Sequence, residues 1–318
     1  MKSSNIGGQA VMEGIMMRHK DKYSIAVRRP DNEIELKVED YKCVFGNAKF
    51  LKYPLIRGVV SFVDSLVVGT KCLMYSAEIA GDEEDEEDKQ KNAALSEEEL
   101  AAKKAKEDKQ FKWLLYVTVA VSIVVSVAAF MLLPYALASL CRRVGASEFA
   151  VTIVEAFVKL ALFMGYMLLI SRMKDIQRTF MYHGAEHKCI NCIEHGLPLT
   201  VENVRKSSRQ HKRCGTSFLF FVLAISIILL LLIRVESPLM RVVVRIALLP
   251  VIAGISYEVL KLAGNSENAL VNLLSKPGMA IQMMTTSEPD DDMIEVAIQA
   301  VEAVFDWRAY ERENFHTS

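Results

Sequence analysis

The chain has 318 residues, 52% hydrophobic and 24% charged, with 38 basic against 39 acidic side chains and a formal net charge of -1. That balance excludes a dedicated nucleic-acid binder. Its six cysteines are too sparse for a disulfide-stapled secreted scaffold. The length suits two domains or one larger membrane unit.

In chain order, residues 1–22 have no long apolar core and no cleavage site, so they are expected to belong to the mature protein. Gly7, Gly8 and Gly14 flank "QAVMEG" and suggest a tight backbone approach. Tyr23–Arg29 and Glu33–Val38 flank Pro30, Asp31 and Asn32, which predicts a hairpin. A weaker apolar stretch, Leu55–Met74, is interrupted by Arg57, Asp64 and Lys71. Asp64 and Lys71 are one heptad apart and share a face, as in an amphipathic helix lying on a membrane or a helix bundle, with a fifth span as the alternative. Residues 1–75 are thus expected to form a small α/β region. Residues 76–110 read as a charged linker: an acidic block, then an exposed helix capped by Ser96 with Glu99.

Crossing a bilayer takes about 20 apolar residues. Leu114–Pro134 meets that without a charge, and Phe149–Ile170 meets it with Glu155 and Lys159 one helical turn apart. Ser217–Ile233 is short but intensely apolar. Val242–Leu262 contains Arg245, Pro250, Gly254 and Glu258. The expected fold is therefore mainly α: a polytopic membrane protein with about four transmembrane helices, paired at 111–171 and 217–264, and a small cytosolic α/β N-terminal region containing a hairpin. The intervening loop, 172–216, is rich in Lys and Arg, which places it in the cytosol of a plasma-membrane protein. An even number of spans puts both termini there too. In the tail, 265–318, Ser287 or Glu288 before Pro289 opens a helix. Its apolar stripe, Met293, Val296, Ala297, Ala300, Val304 and Phe305, is expected to pack on the N-terminal region.

Four of the six histidines fall in residues 183–211, together with Cys189, Cys192 and, just beyond, Cys214. Core packing does not call for that density of imidazole and thiol. His183-Gly184-Ala185-Glu186-His187 matches H-x-x-E-H, the inverse zinc-protease pattern. On a helix, His183, Glu186, His187 and Glu194 share a face of roughly 100°. Such a face supplies two imidazoles, a ligating carboxylate and a second carboxylate as base. A competing set, Cys189-x2-Cys192 with His211-x2-Cys214, has the spacing of a structural zinc knuckle. Cys189 and Cys192 are equally readable as small apolar helix residues. His211 and Cys214, just before the third span, can close either site. Glu13 and His19 are further candidates from the N-terminal region.

"GGQAVMEGIMMR" (7–18), "YHGAEHK" (182–188), "LTVENVR" (199–205), "HKRCGTSF" (211–218) and "TTSEPDDDMIEVAI" (285–298) together resemble the DUF1385 (YqhQ-like) family of membrane proteins. The resemblance covers nearly the whole chain except 81–110. The family is of unknown function and is described as predicted metal-dependent enzymes. It implies roles for Glu13, His183, Glu186, His187, Glu194, His211 and Cys214, and it does not support Cys189 or Cys192 as ligands.

The leading expectation is a metal-dependent membrane enzyme, hydrolytic, at the cytosolic surface. His183 and His187 hold a divalent metal, zinc first, and Glu194, His211 or Cys214 completes the set. Glu186, with Glu13, serves catalysis. Membrane lipid is a partner, and the substrate is lipid-linked or membrane-proximal. One alternative is a scaffold or regulator with a structural metal. Another is a small-solute transporter working as a homo-oligomer, prompted by Glu155, Arg245 and Glu258.

Overall fold

Residues 2–46, 48–81, 97–233, 235, 237–266 and 268–315 are described in the computed structural model. The expected hairpin is β3 (Lys22–Arg28) and β4 (Ile34–Asp40), paired antiparallel with Arg28 opposite Ile34. Two more strands precede it, β1 (Gly7–Val11) and β2 (Gly14–His19), and the sheet order is β1-β2-β3-β4. The glycine run that suggested a tight backbone approach is mostly strand. Met12 and Glu13 close the first hairpin, with Glu13 in the left-handed region at φ 47°. Gly14 has to be glycine: a Cβ there would lie 2.2 Å from the Ala26 carbonyl oxygen of β3.

The described helices are α1 (Ile56–Ala80), α2 (Glu97–Val127), α3 (Leu133–Arg143), α4 (Glu148–Ile170), α5 (Lys174–Glu194), α6 (Val201–Lys206), α7 (Gly215–Leu232), α8 (Pro238–Asn265), α9 (Ala269–Thr285), α10 (Asp291–Glu302) and α11 (Trp307–Phe315). A π-type turn, Ala128–Leu132, joins α2 to α3 just before Pro134. Proline has no N–H to donate, and its ring pushes against the carbonyl four residues back, which widens the turn. Of the expected linker, residues 82–96, including the Ser96 cap, lie outside the described residues. Residues 76–80 belong to α1 and 97–110 to α2.

Among the described residues, five helices are long and apolar enough to cross a membrane: Ile56–Ala80, Tyr116–Arg143, Glu148–Ile170, Gly215–Leu232 and Val242–Asn265. By length and composition that is one candidate more than the four or so expected. The addition is α1, whose Arg57, Asp64 and Lys71 had lowered its apolar count. Asp64 is buried and accepts from the Val44 N–H at 2.9 Å and from the Tyr41 hydroxyl at 2.5 Å. A polar group satisfied in this way does not stop a helix from burying its face.

The chain divides into two compact units, residues 82–165 and the remainder. In the larger unit the sheet has a core on each face. One face, with Ile15, Met17 and Ala26, packs on α5 and on the apolar side of α10 through Tyr182, Ala185, Ile190, Ile294, Ala297 and Val301. The other face, with Val11, Tyr23, Ile25 and Val27, packs on Val68 and Cys72 of α1. Asp290, not Ser287 or Glu288, caps α10, its carboxylate accepting from the Met293 N–H. Within the membrane region, α1 crosses α8 at Gly58 and Gly254. A Cβ on Gly58 would come 3.0 Å from the Gly254 Cα. Arg57 holds both carboxylate oxygens of Glu258 beside that crossing.

Candidate metal centre

The site is built on α5, whose residues are buried almost without interruption from Tyr182 to Glu194. The helix stops where Gly196 takes φ 70°: the Gly196 N–H bonds the Ile193 carbonyl at 3.0 Å and the Leu197 N–H bonds the Cys192 carbonyl at 3.1 Å. The chain then returns along α5, and α5 itself holds the returning loop. Lys188 Nζ donates to the carbonyls of Arg205 and Ser207, both at 2.9 Å. Asn191 Nδ2 donates to those of Ser208 at 2.6 Å and Gln210 at 2.9 Å. The buried Gln282 of α9 fixes the next residue. Its Oε1 accepts from the His211 N–H at 2.9 Å, and its Nε2 donates to the His211 carbonyl at 2.7 Å. These clamps deliver Cys214 to the start of α7, directly across from α5.

There His183, His187 and Cys214 converge, with one donor atom of each lying within 4.8 Å of the others. His183 Nδ1 is 2.8 Å from the Thr285 carbonyl oxygen, and His187 Nδ1 is 2.6 Å from that of Arg209. A carbonyl can only accept, so both Nδ1 atoms carry the hydrogen and both Nε2 atoms are left for the centre. His183 Nε2 stands 3.2 Å from Cys214 Sγ. Donors around a tetrahedral zinc ion stand roughly 3.3–3.8 Å apart, so this set suits that ion with small adjustments. Imidazole nitrogens held from behind by carbonyls are also the usual outer support of a metal site. Two imidazoles and one thiolate suit a borderline-soft ion such as zinc.

The electrostatics agree. Burial alone would raise the Cys214 thiol, but the two imidazoles hold it well below its usual 9.0. Its Sγ also caps α7, accepting from the Thr216 N–H at 3.4 Å. Burial opposes charge on His183 and His187, yet the sulfur outweighs it: His183 is pushed up to about 9 and His187 is also raised. The cluster thus attracts positive charge to its middle. Burial pushes the Glu186 carboxyl up. No hydrogen bond to that carboxyl exists among the described residues, and Glu186 lines a cavity of about 580 Å³ together with His183 and Cys214.

Two expected ligands sit elsewhere. Glu194 shares the angular position of His183, but 11 residues of helix separate them by about 16 Å along the axis. Its fully buried carboxylate accepts from the Ser4 N–H at 2.7 Å, the Ser4 hydroxyl at 2.8 Å, Arg213 and His211 Nε2 at 3.2 Å. The arginine, the histidine and the N-terminal segment outweigh burial and lower its pKa. The His211 ring is 5.9 Å from that of His187, and its Nε2 faces Glu194. Glu13 reaches Arg178 in a two-pronged ion pair and accepts from the Tyr182 hydroxyl at 3.3 Å. Cys189 and Cys192 are free thiols in the core and are not part of the triad. His19 packs edge-on against Phe305.

Sequence reading missed Lys188, Asn191 and Gln282. The first two carry a legible signal: polar residues three apart, and so on one face of the helix. Gln282 carries none.

Residues 53–307 match the model of the family described as a protein of unknown function, DUF1385. The chain is 36% identical, over 97% of its length and 94% of the relative's, to the uncharacterized protein YqhQ of Bacillus subtilis (strain 168). No solved structure matches. The chain belongs to the DUF1385 family.

Proposed function

We propose that this chain is a metal-dependent hydrolase at the membrane surface, with His183, His187 and Cys214 as ligands of a zinc ion and Glu186 as the general base. The observation that carries the reading is the three-donor set beside a cavity-facing carboxylate. A structural zinc site is closed by four protein ligands, whereas a catalytic one keeps a position open. Glu194 and His211, the other ligands expected from the sequence, are engaged with each other. Zinc in such a site would make a water molecule acidic enough to attack near neutral pH. Glu186, raised by burial, is suited to take that proton and return it. Glu194, Arg213 and Ser4 act by holding His211 and the N-terminal segment in place. Metal analysis of purified protein tests this. Wild type and Glu186→Gln are expected to hold one zinc ion per chain, and His187→Ala and Cys214→Ser to hold little. Equal, negligible metal in all four would overturn the reading.

The shared core supports a membrane topology. The sheet, α5 and α10 pack together and so lie on one side, which the basic residues of 172–216 make the cytosolic one. An even number of crossings must then separate β4 from α5, although three candidate helices intervene. We assign α1 as the one that does not cross. From Val68 onward it lies on the sheet, and the Met12 N–H donates to Ser76 Oγ. The remainder, Ile56–Val67, rises about 18 Å, too little for a hydrocarbon core of about 30 Å. With the exposed Val44, Phe45, Phe50 and Tyr53 before it, α1 dips into one leaflet and returns. Cysteines placed at Asp31, Arg205 and Arg308 should all label from the cytosolic side only. Labelling of any one from outside would refute this topology.

A further inference from the structure

The geometry points to an extended polypeptide as the substrate of this site, docked by strand addition on the free edge of β1. The inference rests on the hydrolase reading above and names its substrate class.

β1 is the outermost strand of the sheet. Val11 and Gly14 flank the two-residue turn and exchange hydrogen bonds, as do Gln9 with Met16 and Gly7 with Arg18. The Arg28 N–H donating to the Glu13 carbonyl at 2.8 Å confirms the phase, since it turns the odd-numbered residues of β2 toward β3. The N–H and C=O groups of Gly8 and Ala10 therefore point outward. Among the described residues no group hydrogen-bonds to them. Gly7 to Ala10 line the same cavity as His183, Glu186 and Cys214. The cavity also touches Phe62 and Leu66 on α1, which covers one face of the sheet, and Ile190 on α5, which covers the other. Only at the strand's edge can one space reach both layers.

An unpaired strand edge is a template for another peptide backbone, and alternate side chains of that backbone would enter the apolar walls. Gly8 brings the two functions together: a Cβ there would sit 2.9 Å from Glu186 Cγ, so a strand added beside it passes close to the base. The site is poorly suited to an anionic lipid headgroup. Arg213 is the one lysine or arginine among the lining residues, and its guanidinium is already held by Glu194 and Ser3.

The reaction is peptide hydrolysis. A water oxygen bonds to the scissile carbonyl carbon as Glu186 takes one of its protons. The C–N bond then breaks and that proton passes to the leaving amine.

The test uses the full chain, zinc-loaded in lipid nanodiscs, and a tryptic digest of bacterial membrane proteins as probe, with new peptide ends read by mass spectrometry. Cleavage is expected from wild type and not from Glu186→Gln. Ala10→Pro removes an outward N–H that the sheet does not use, so it should keep its zinc and its melting temperature while cleaving at least tenfold more slowly. If Ala10→Pro fails to fold, an N-methyl scan of the best-cleaved peptide replaces it. Loss of cleavage should recur at every second residue. Wild-type cleavage by folded Ala10→Pro, or an N-methyl scan without that period, would overturn the docking mode. Zinc-loaded wild type that leaves every peptide intact would overturn the peptide assignment, as would hydrolysis of phosphatidylethanolamine vesicles in its place. A chain that binds no zinc would instead sink the hydrolase reading itself.

Discussion

Gly184 lies in the middle of α5, between the two histidines of the motif. Alanine there should help by propensity, since it favours a helix interior over glycine by about 1 kcal/mol. The structure reverses that sign. A Cβ on Gly184 would stand 2.0 Å from the Ser287 carbonyl oxygen, where real contacts stay beyond about 3.0 Å. The segment after α9 would have to retreat by about 1 Å. That stretches the bond from the Ser287 N–H to the Phe180 carbonyl, now 2.9 Å, and draws the Thr285 carbonyl away from His183 Nδ1. Losing the first costs about 1 kcal/mol, and overpacking costs about 1–3 kcal/mol. Net of propensity, Gly184→Ala should destabilise by about 1–3 kcal/mol. Loss of the carbonyl behind a ligand histidine should weaken metal binding about 10–100-fold. Chelator competition and thermal unfolding measure the two effects. Gly165→Ala is the control, because a Cβ there meets nothing within 4 Å. A Gly184→Ala protein more stable than wild type, with unchanged metal affinity, would refute the close packing of α5 against this segment.

Three further outcomes are expected. In metal-stripped protein at pH 6.5, iodoacetamide should modify Cys214 well before Cys189 or Cys192, whose thiols burial pushes up, that of Cys192 to about 11. Added zinc should protect Cys214, and equal rates at all three would count against the thiolate. Glu194→Gln should cost about 2–4 kcal/mol at pH 7, read from denaturant melts, because it strips the charge from a buried, fully paired carboxylate. Because its folded pKa is depressed below 4.5, that stabilisation is complete above the unfolded value and lost as pH falls through the folded one. The gap between the two proteins should therefore close below about pH 4.5, and a gap that widened in acid would contradict the pairing. Gly8→Ala should keep its zinc yet lower turnover, since its Cβ would press on the Met16 carbonyl oxygen of β2 at 2.8 Å and on Glu186 Cγ at 2.9 Å. Loss of metal in that variant would show that β1 supports the ligands and not the base.

How much of this was legible beforehand varied by residue, for physical reasons. The H-x-x-E-H spacing placed His183 and His187 on one helical face because four residues are close to one turn. The same angular logic grouped Glu194 with them, but an angle around a helix ignores the rise along it, and Glu194 lies about three turns away with Ser4, His211 and Arg213. Cys214 was visible only as a thiol near the motif. Its arrival at the centre depends on Lys188, Asn191 and Gln282, which hold backbone carbonyls and amides and leave no spacing rule. The β3–β4 hairpin announced itself through alternation around Pro30–Asn32, whereas the glycines of β1 and β2 hid theirs. The charges of α1 obscured its length, since the groups that satisfy Asp64 come from Tyr41 and Val44, distant in sequence.

The central claim is that two imidazoles and one thiolate share a zinc ion. X-ray absorption at the zinc edge of the purified protein tests it most directly. The account predicts about two nitrogen neighbours near 2.0 Å, one sulfur near 2.3 Å and a further light atom, with the sulfur shell absent from Cys214→Ser. A wild-type spectrum without sulfur, or with three or four sulfur neighbours, would contradict it.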